Sequence, residues 1–248
     1  MISIKSAKQI EKMRKSCALT RELFDVLETK IKPGVTTKEL DTIAYNFYKK
    51  HGATPNFLNY EGYPGTICAS VNDEVVHGIP STHRVLKDGD IISIDTGCVL
   101  DGWHSDAART FAVGSISAEA QKLIDVTKQS FFEGIKMVKH GAKIGDVSAA
   151  IQQYAESFGY GVVRDLVGHG VGRSLHEEPE VPNFGKAGRG LRLAAGMTIA
   201  IEPMITEGSY KVAVLDDDWT VVTRDKSLAA HYENTIVVTR DGCEILTL

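Results

Sequence analysis

The two halves of this chain match each other at a constant offset of 107 residues, and this repeat is the strongest constraint on its fold. An apolar pattern of helical period recurs together with the glycine that ends it, since Gly34 falls on Gly141 and Gly52 on Gly159. The sequence therefore predicts a single domain over residues 1–248, duplicated internally as roughly 1–115 and 116–248. Other apolar positions coincide at the same offset: Leu40 with Val147, Ile43 with Ala150, Ala44 with Ile151 and Phe47 with Tyr154.

Each half places a carboxylate at the end of the same apolar strand. At the offset of 107 residues Asp95 falls on Glu202, and a second carboxylate follows on a returning strand in each half, at Asp106 and at Glu233. Four carboxylates that crowd together need compensating positive charge, and two divalent cations supply it with fixed geometry. We therefore predict a buried site for two divalent metal ions.

The turn Asp101-Gly102 tests this prediction against strand geometry. A two-residue hairpin loop at Asp-Gly pairs Asp95 with Ala108 and directs Asp106 to the same side of the sheet as Asp95. A three-residue loop would place the two aspartates on opposite faces. The alternative interpretation, a pair of surface aspartates beside a turn, accounts for Asp95 alone but not for its counterpart Glu202.

One imidazole completes the predicted ligand set. His169 lies in Val-Gly-His-Gly-Val-Gly, where flanking glycines let other groups approach the backbone closely. One imidazole among oxygen ligands suits Mn, Fe, Co or Zn at a reactive site, whereas a structural zinc takes mostly thiolates. His77 and His176, each beside a Gly or Pro break, are candidates for substrate contact. The remaining histidines His51, His83, His104 and His140 are interpreted as surface or capping residues.

Composition excludes several classes of protein. The net charge of −4 and a pI near 6.1 give no electrostatic signature of binding to nucleic acid or to an anionic membrane. No segment approaches the roughly 18 apolar residues of a membrane span, and the amino terminus lacks the apolar run of a secretory signal. Four scattered cysteines do not make a disulfide framework. The sequence predicts a soluble, cytoplasmic protein with reduced thiols.

Capping signals and periodicity predict two helices followed by antiparallel strands in each half, an α+β fold. Ser6 with Gln9 and Thr36 with Glu39 read as capping boxes at the start of the first two helices. The second half repeats this plan from about residue 118 to residue 158. The predicted strands cover residues 67–71, 91–94, 109–113, 198–201 and 235–239.

These motifs resemble the type I (bacterial) methionine aminopeptidases over nearly the whole chain. The resemblance implies the pseudo-twofold pita-bread fold, in which antiparallel sheets are flanked by helix pairs. It also implies a monomeric enzyme that uses two divalent metal ions to remove the initiator methionine from nascent polypeptides at the ribosome. The matching segments are Asn-Asp-Glu-Val-Val-His-Gly-Ile-Pro at 72–80, Ile-Asp-Thr-Gly at 94–97, Gly-His-Gly-Val-Gly at 168–172, His-Glu-Glu-Pro at 176–179, Ile-Glu-Pro at 201–203 and Tyr-Glu-Asn-Thr at 232–235.

The resemblance also implies residue roles. Asp95 would chelate one metal ion, Asp106 and Glu233 would bridge both, and His169 with Glu202 would complete the other. Glu202 would also act as the proton shuttle. The substrate-binding residues would be His77 and His176 at the scissile peptide, and Tyr60, Tyr63, Cys68, Trp219, Phe57 and Leu175 around the methionine side chain.

Three positions differ from the usual pattern of this family. Phe57 stands where a cysteine is common, Leu175 replaces an aromatic residue, and His231 stands where glutamine is frequent. His231 is two residues from Glu233 and so shares its strand face. We expect it to form a hydrogen bond rather than to bind metal.

Two alternative functions share the fold. An aminopeptidase P or prolidase would use the same five ligands, but usually carries an extra amino-terminal domain that 248 residues do not accommodate. A non-catalytic pita-bread binding module would have lost one or more of the ligands, and all five are present here.

Overall fold

Antiparallel strands dominate the computed structural model, which describes residues 2–248. The strands are β1 (Thr54–Pro55), β2 (Ile67–Val71), β3 (Glu74–Val76), β4 (Ile91–Thr96), β5 (Cys98–Leu100), β6 (Trp103–His104), β7 (Ala107–Ala112), β8 (Gly161–Val162), β9 (Gly168–Gly170), β10 (Glu177–Val181), β11 (Thr198–Ile201), β12 (Met204–Thr206), β13 (Val212–Val214), β14 (Val221–Thr223), β15 (Ala229–His231), β16 (Glu233–Val238) and β17 (Cys243–Ile245).

Among the described residues these strands form one large sheet and three small ones. The large sheet has eight strands in the order β10-β9-β11-β16-β7-β4-β2, with β17 pairing to β16. The small sheets have the orders β1-β5-β6, β15-β12-β8 and β13-β14-β3.

Within residues 2–248 four helices occur in two pairs, as the sequence predicts. They are α1 (Ala7–Glu28) and α2 (Thr37–Lys50) in the first half, and α3 (Ala118–Ile135) and α4 (Ile144–Glu156) in the second. The capping box at α2 is present, because Thr36 Oγ1 accepts from the backbone N–H of Glu39 and the Glu39 carboxylate accepts from the backbone N–H of Thr36. A short 3₁₀ turn covers Tyr60–Gly62.

Each helix pair covers one end of the large sheet. Leu23, Leu40 and Tyr48 of α1 and α2 pack with Ile92 and Ile94 of β4 in one apolar core. The second pair buries its apolar stripes against β11 and β16 in a separate core, with Phe131, Val147, Ile151, Ile199 and Ile236 among its members. The interior between these two cores is where the strands of both halves meet.

Several hydrogen bonds recur at the offset seen in the sequence. The backbone N–H of Gly34 donates to Leu86 at 2.8 Å, and that of Gly141 donates to Leu193 at the same distance. Both glycines have positive φ, 92° and 90°, a conformation that a residue with a side chain adopts only with strain.

The predicted hairpin register is confirmed. Leu100 pairs with Trp103 across the Asp101-Gly102 turn, and Asp95 pairs with Ala108 between β4 and β7. The predicted strand bounds were short: β4 extends to Thr96, and β7 begins at Ala107 rather than at Arg109. The reason is that Ala107 and Ala108 carry on the ladder to β4 and also pair with β16, although alanine has little intrinsic strand preference.

Two further observations concern the described residues 2–248. No helix in this range is both long and apolar enough to cross a membrane. Its four cysteines are free thiols, of which Cys17, Cys68 and Cys98 are buried.

The backbone at Gly97 is packed closely against neighbouring atoms, so a substitution there tests the geometry of the hairpin. A Cβ at this position would lie 2.0 Å from the carbonyl oxygen of Ser105 and 2.7 Å from Nδ2 of Asn56. Since Ser105 is held by a backbone hydrogen bond to Cys98, the carbonyl cannot retreat freely. We expect Gly97→Ala to lower the free energy of unfolding by about 1–3 kcal/mol, measured by urea denaturation. Gly242→Ala, whose Cβ meets nothing within 4 Å, is the matched control, and equal midpoints for the two variants would contradict the prediction.

Candidate metal centre

The order of strands in the large sheet assembles the five predicted ligands. Five neighbouring strands, β9, β11, β16, β7 and β4, carry them in turn. His169 is the central residue of β9, Glu202 follows β11, Glu233 begins β16, Asp106 precedes β7, and Asp95 lies near the end of β4. Residues separated by more than 100 positions in the chain are therefore adjacent across the sheet.

The pairing register directs these side chains to one face. Ala108 is opposite both Asp95 on β4 and Glu233 on β16, and directly opposed residues share a face of the sheet. Asp106 is two residues from Ala108 and so points the same way. Glu202 follows Ile201, which pairs with Asn234, so that Glu202 comes opposite Glu233. The small side chain of Ala108 leaves space between the carboxylates.

The ligand atoms lie close enough to share a metal ion. Asp106, His169 and Glu233 each contribute one potential ligand atom to a group in which all three atoms lie within 4.8 Å of one another. Nε2 of His169 is 3.5 Å from Oδ2 of Asp106 and 3.8 Å from Oε1 of Glu202. Nδ1 of His169 lies 2.8 Å from the carbonyl oxygen of Gly170, which can only accept, so the ring proton is on Nδ1. Nε2 therefore presents its lone pair to the carboxylates, as a metal ligand does.

The electrostatics of the site also require a cation. Burial raises the pKa of all four carboxyl groups, and repulsion from neighbouring carboxylates raises the pKa of Asp95, Glu202 and Glu233 further. Oδ1 of Asp95, Oδ1 of Asp106 and Oε1 of Glu233 are buried without a hydrogen-bond partner. Among the described residues no lysine or arginine forms an ion pair with the cluster. Oxygen and imidazole donors left unpaired in this way fit divalent cations.

Arg109 is the nearest buried cation, but its guanidinium is occupied elsewhere. It donates to the backbone carbonyls of Ala108, Glu233 and Thr247 and to Oδ1 of Asn234. As the neighbour of Ala108 on β7, it projects from the opposite face of the sheet, where its guanidinium stacks on the ring of Tyr232 at 4.4 Å. It therefore anchors the strands and lowers the pKa of Glu233, but by less than burial and the neighbouring carboxylates raise it.

A cavity of about 220 Å³ opens above the carboxylates. The structure brings every site residue named from the sequence to its walls. These are Asp95, Asp106, His169, Glu202, Glu233, His77, His176, Phe57, Tyr60, Tyr63, Cys68, Leu175 and Trp219.

One wall of the cavity is apolar and rigid. Phe57, Tyr63, Cys68 and Leu175 form a buried cluster against which Trp219 packs. The hydroxyl of Tyr63 lies 2.9 Å from the carbonyl oxygen of Gly78 and 3.1 Å from that of Ile67, which share its single proton. The ring of Tyr63 meets that of Trp219 edge to face, with 5.1 Å between the ring centres. Such a wall accepts an unbranched apolar side chain of limited size.

His77 and His176 stand at the opening between this wall and the carboxylates. Burial lowers the pKa of each to about 4, with smaller contributions from neighbouring histidines, so both rings are neutral at pH 7. His77 has φ of 60°, a backbone conformation that costs energy in a residue other than glycine. Nδ1 of His176 lies 2.8 Å from the hydroxyl of Tyr60, which fixes the ring at the mouth of the cavity.

Sequence reasoning missed five lining residues, namely Glu61, Val76, Leu166, Val167 and Met204. The four apolar residues lie close in sequence to a recognised motif, but apolar neighbours of a motif are equally common in a core, so no chemical signal distinguished them. Glu61 has no partner carboxylate or histidine near it in the sequence that would have singled it out. Of the histidines interpreted as surface residues, His51, His83 and His140 are exposed, whereas His104 is half-buried. Burial lowers the pKa of His104 accordingly.

Known proteins resemble this chain in both sequence and structure. Residues 11–240 match the profile of metallopeptidase family M24. A methionine aminopeptidase from Clostridium acetobutylicum is 56% identical over 248 residues, covering 100% of this chain and 99% of the relative. The crystal structure of methionine aminopeptidase from Rickettsia prowazekii has a TM-score of 0.98 at 46% identity, with 100% of both chains covered. A Xaa-Pro dipeptidase from Bacillus anthracis has the same fold, with a TM-score of 0.80 at 24% identity, covering 98% of this chain and 61% of that one.

The predicted α+β pita-bread fold, with antiparallel sheets flanked by helix pairs, is confirmed by these structures. Binding of divalent metal agrees both with the family and with the cluster of aspartate, histidine and glutamate. The chain therefore belongs to the bacterial methionine aminopeptidases of metallopeptidase family M24.

Proposed function

We propose that this chain hydrolyses the first peptide bond of newly made polypeptides that begin with methionine, using two divalent metal ions. Asp95, Asp106, His169, Glu202 and Glu233 would hold the ions. The observation that carries the proposal is that these carboxylates and the apolar wall open onto one cavity.

We further propose that the chain is a monomeric, cytoplasmic enzyme that meets its substrates at the ribosome. Its single domain would consist of two equivalent halves, as the hydrogen bonds repeated at the offset of 107 residues support.

The metal ions, when bound, polarise the scissile carbonyl and lower the pKa of the attacking water. Glu202 supplies the proton transfer: its carboxylate accepts the proton of that water and passes it to the leaving amine. The surroundings suit this role, because burial and repulsion from Asp95 and Asp106 raise the pKa of Glu202 above the ordinary value of a glutamate. A carboxyl group with an ordinary pKa would be a weaker proton acceptor.

The two neutral histidines orient the substrate. Each neutral imidazole carries one N–H, and the hydrogen bond between Tyr60 and His176 restricts the ring of His176 to one position. From the mouth of the cavity, His77 and His176 would donate to the peptide that is being cleaved. The methionine side chain would enter the apolar wall, where its sulfur contacts the rings of Tyr63 and Trp219, a kind of contact worth about 0.3–1.5 kcal/mol.

Substrate choice separates this proposal from the prolidase-like alternative. If the wall is a methionine pocket, Met-Ala-Ser is expected to be cleaved and Met-Leu-Ser largely refused, because a large second residue collides with the residues around the cavity mouth. Ala-Pro-Ser, which lacks the methionine side chain, is expected to be a poor substrate. Release of the first residue from all three peptides at one manganese concentration is the measurement. Faster hydrolysis of Ala-Pro-Ser than of Met-Ala-Ser would replace methionine removal by Xaa-Pro cleavage.

Glu202→Gln is expected to reduce kcat by about 10²–10⁴-fold while changing KM little, because proton transfer occurs in the transition state and ground-state binding relies on the apolar wall. Glu207→Gln, an exposed glutamate five residues away, is the matched control. Both variants are assayed at saturating manganese with Met-Ala-Ser. A loss confined to KM would assign Glu202 to substrate binding instead.

Removing metal with EDTA is expected to make stability fall as pH rises. Burial raises the pKa of the four carboxyl groups above their ordinary values of 3.8 for aspartate and 4.5 for glutamate. Above these values the folded apoprotein binds more protons than the unfolded chain, so its free energy of unfolding decreases with pH until the raised pKa values are passed. Added Mn²⁺ should therefore raise Tm more at about pH 8 than at about pH 5. An equal rise at both pH values would contradict the assignment of these carboxylates as ligands.

A further inference from the structure

His231 is a fully buried histidine whose ring nitrogens have no hydrogen-bond partner. Its exposed fraction is 1%, and both Nδ1 and Nε2 are unsatisfied. Buried polar groups in folded proteins are nearly always paired, so an unpaired imidazole beside a reaction centre requires an explanation. An apolar residue of similar size would fill the same space without the cost of burying two polar nitrogens.

The backbone of His231 is fixed by one hydroxyl group. Thr110 Oγ1 accepts from the backbone N–H of His231 at 2.9 Å and donates to its carbonyl oxygen, also at 2.9 Å. Ser93 Oγ lies 2.8 Å from the same hydroxyl and supplies its remaining hydrogen bond. Met204, two residues after Glu202, pairs with His231 between β12 and β15. The position of the ring relative to Glu202 is therefore built into the sheets.

The ring faces the carboxylate of Glu202. Nε2 of His231 lies 3.7 Å from Oε2 of Glu202, while Oε1 of the same carboxylate lies 3.8 Å from Nε2 of His169. This separation exceeds the length of an N–H···O hydrogen bond by about 0.5 Å, so a bond between the two groups requires the carboxylate to move toward the ring. Each oxygen of Glu202 thus has a different histidine beside it.

We propose that His231 is a positioning residue for Glu202, which it holds by donating a hydrogen bond from Nε2–H to Oε2. The bond would leave Oε1, which lies on the side of His169, facing the other predicted ligands. The proposal deepens the proposed function and rests on it, because the orientation of Glu202 matters to the reaction only if Glu202 is both ligand and proton shuttle.

The choice of tautomer follows from the neighbours. His169 keeps its proton on Nδ1 because the carbonyl oxygen of Gly170 accepts it, whereas Nδ1 of His231 has no such acceptor. With its proton on Nδ1, His231 would turn the lone pair of Nε2 toward Oε2 of Glu202, and two acceptors with no cation between them repel each other. With the proton on Nε2 the contact becomes attractive. A nitrogen that carries a proton cannot bind metal, so His231 supports the centre from outside it, as hydrogen-bond donors commonly do for metal-binding carboxylates.

The tautomer is tested directly on the wild-type protein. Long-range ¹H–¹⁵N correlation spectra of zinc-loaded, ¹⁵N-histidine-labelled enzyme are expected to show His231 as the neutral Nε2–H form, assigned by its loss in His231→Gln. A neutral Nδ1–H form would overturn the proposal. This measurement needs no variant to be active.

Variants of His231 test how the hydrogen bond to Glu202 affects metal binding and turnover. His231→Leu removes the donor, and we expect its affinity for Mn²⁺, measured by titration calorimetry, to fall by about 10–100-fold. At saturating Mn²⁺ its kcat for Met-Ala-Ser should fall by about tenfold with KM within about threefold, as expected for loss of an interaction that orients a proton shuttle. His231→Gln keeps an N–H donor of similar reach and should recover most of both losses. His83→Leu, an exposed histidine, is the matched control.

The outcomes separate this proposal from the proposed function. If His231→Leu folds with a Tm near that of the wild type and matches it in Mn²⁺ affinity and kcat, or if His231→Gln is as impaired as His231→Leu, the positioning role is wrong. If the wild-type protein binds Mn²⁺ but releases no methionine, the proposed function fails. The tautomer and the Mn²⁺ affinities would then still decide whether His231 orients Glu202.

Discussion

Repulsion among four enclosed carboxylates is the constraint on which the rest of this structure depends. Asp95, Asp106, Glu202 and Glu233 are held together by strands that are pinned on both sides, so they cannot separate to reduce their repulsion. The folded state tolerates this repulsion because apolar cores under each helix pair hold the strands in place independently of the site. Bound protons or bound cations can lower the energy of such a cluster without unfolding it. Because protons and metal ions compete for the same oxygens, we expect the affinity of this site for metal to depend on pH.

Much of this arrangement could be predicted from the sequence, because its determinants are local. The Asp101-Gly102 turn sets the register of β4 and β7, and that register alone puts Asp95 and Asp106 on one face. The helix starts were readable from residues such as Thr36 and Glu39, whose capping contacts span three positions.

The remaining features of the fold and the site depend on tertiary contacts, which local sequence patterns do not indicate. The order β9-β11-β16-β7-β4 joins the halves through pairs such as Glu233 with Ala108, and nothing in either segment specifies its partner. Two alanines at the start of β7 were assigned outside the strand because their strand preference is weak, although tertiary pairing overrides it. Met204 and Leu166 line the cavity but have the chemistry of core residues. The proximity of His231 to Glu202 likewise becomes visible only once β12 and β15 are paired.

The cavity is less symmetric than the ligand set beneath it. Each half supplies two carboxylates to the sheet, but Phe57, Tyr60, Tyr63 and Cys68 of the apolar wall come from the first half, whereas Leu175 and Trp219 come from the second. A symmetric cluster has no preferred direction for a bound peptide, so direction has to come from the walls. The Xaa-Pro dipeptidase from Bacillus anthracis has the same fold under a name for another substrate, so the fold alone does not determine which peptide is cleaved. We therefore expect the side chains of the walls to set the specificity of this protein, and the carboxylates of the sheet to set its metal chemistry.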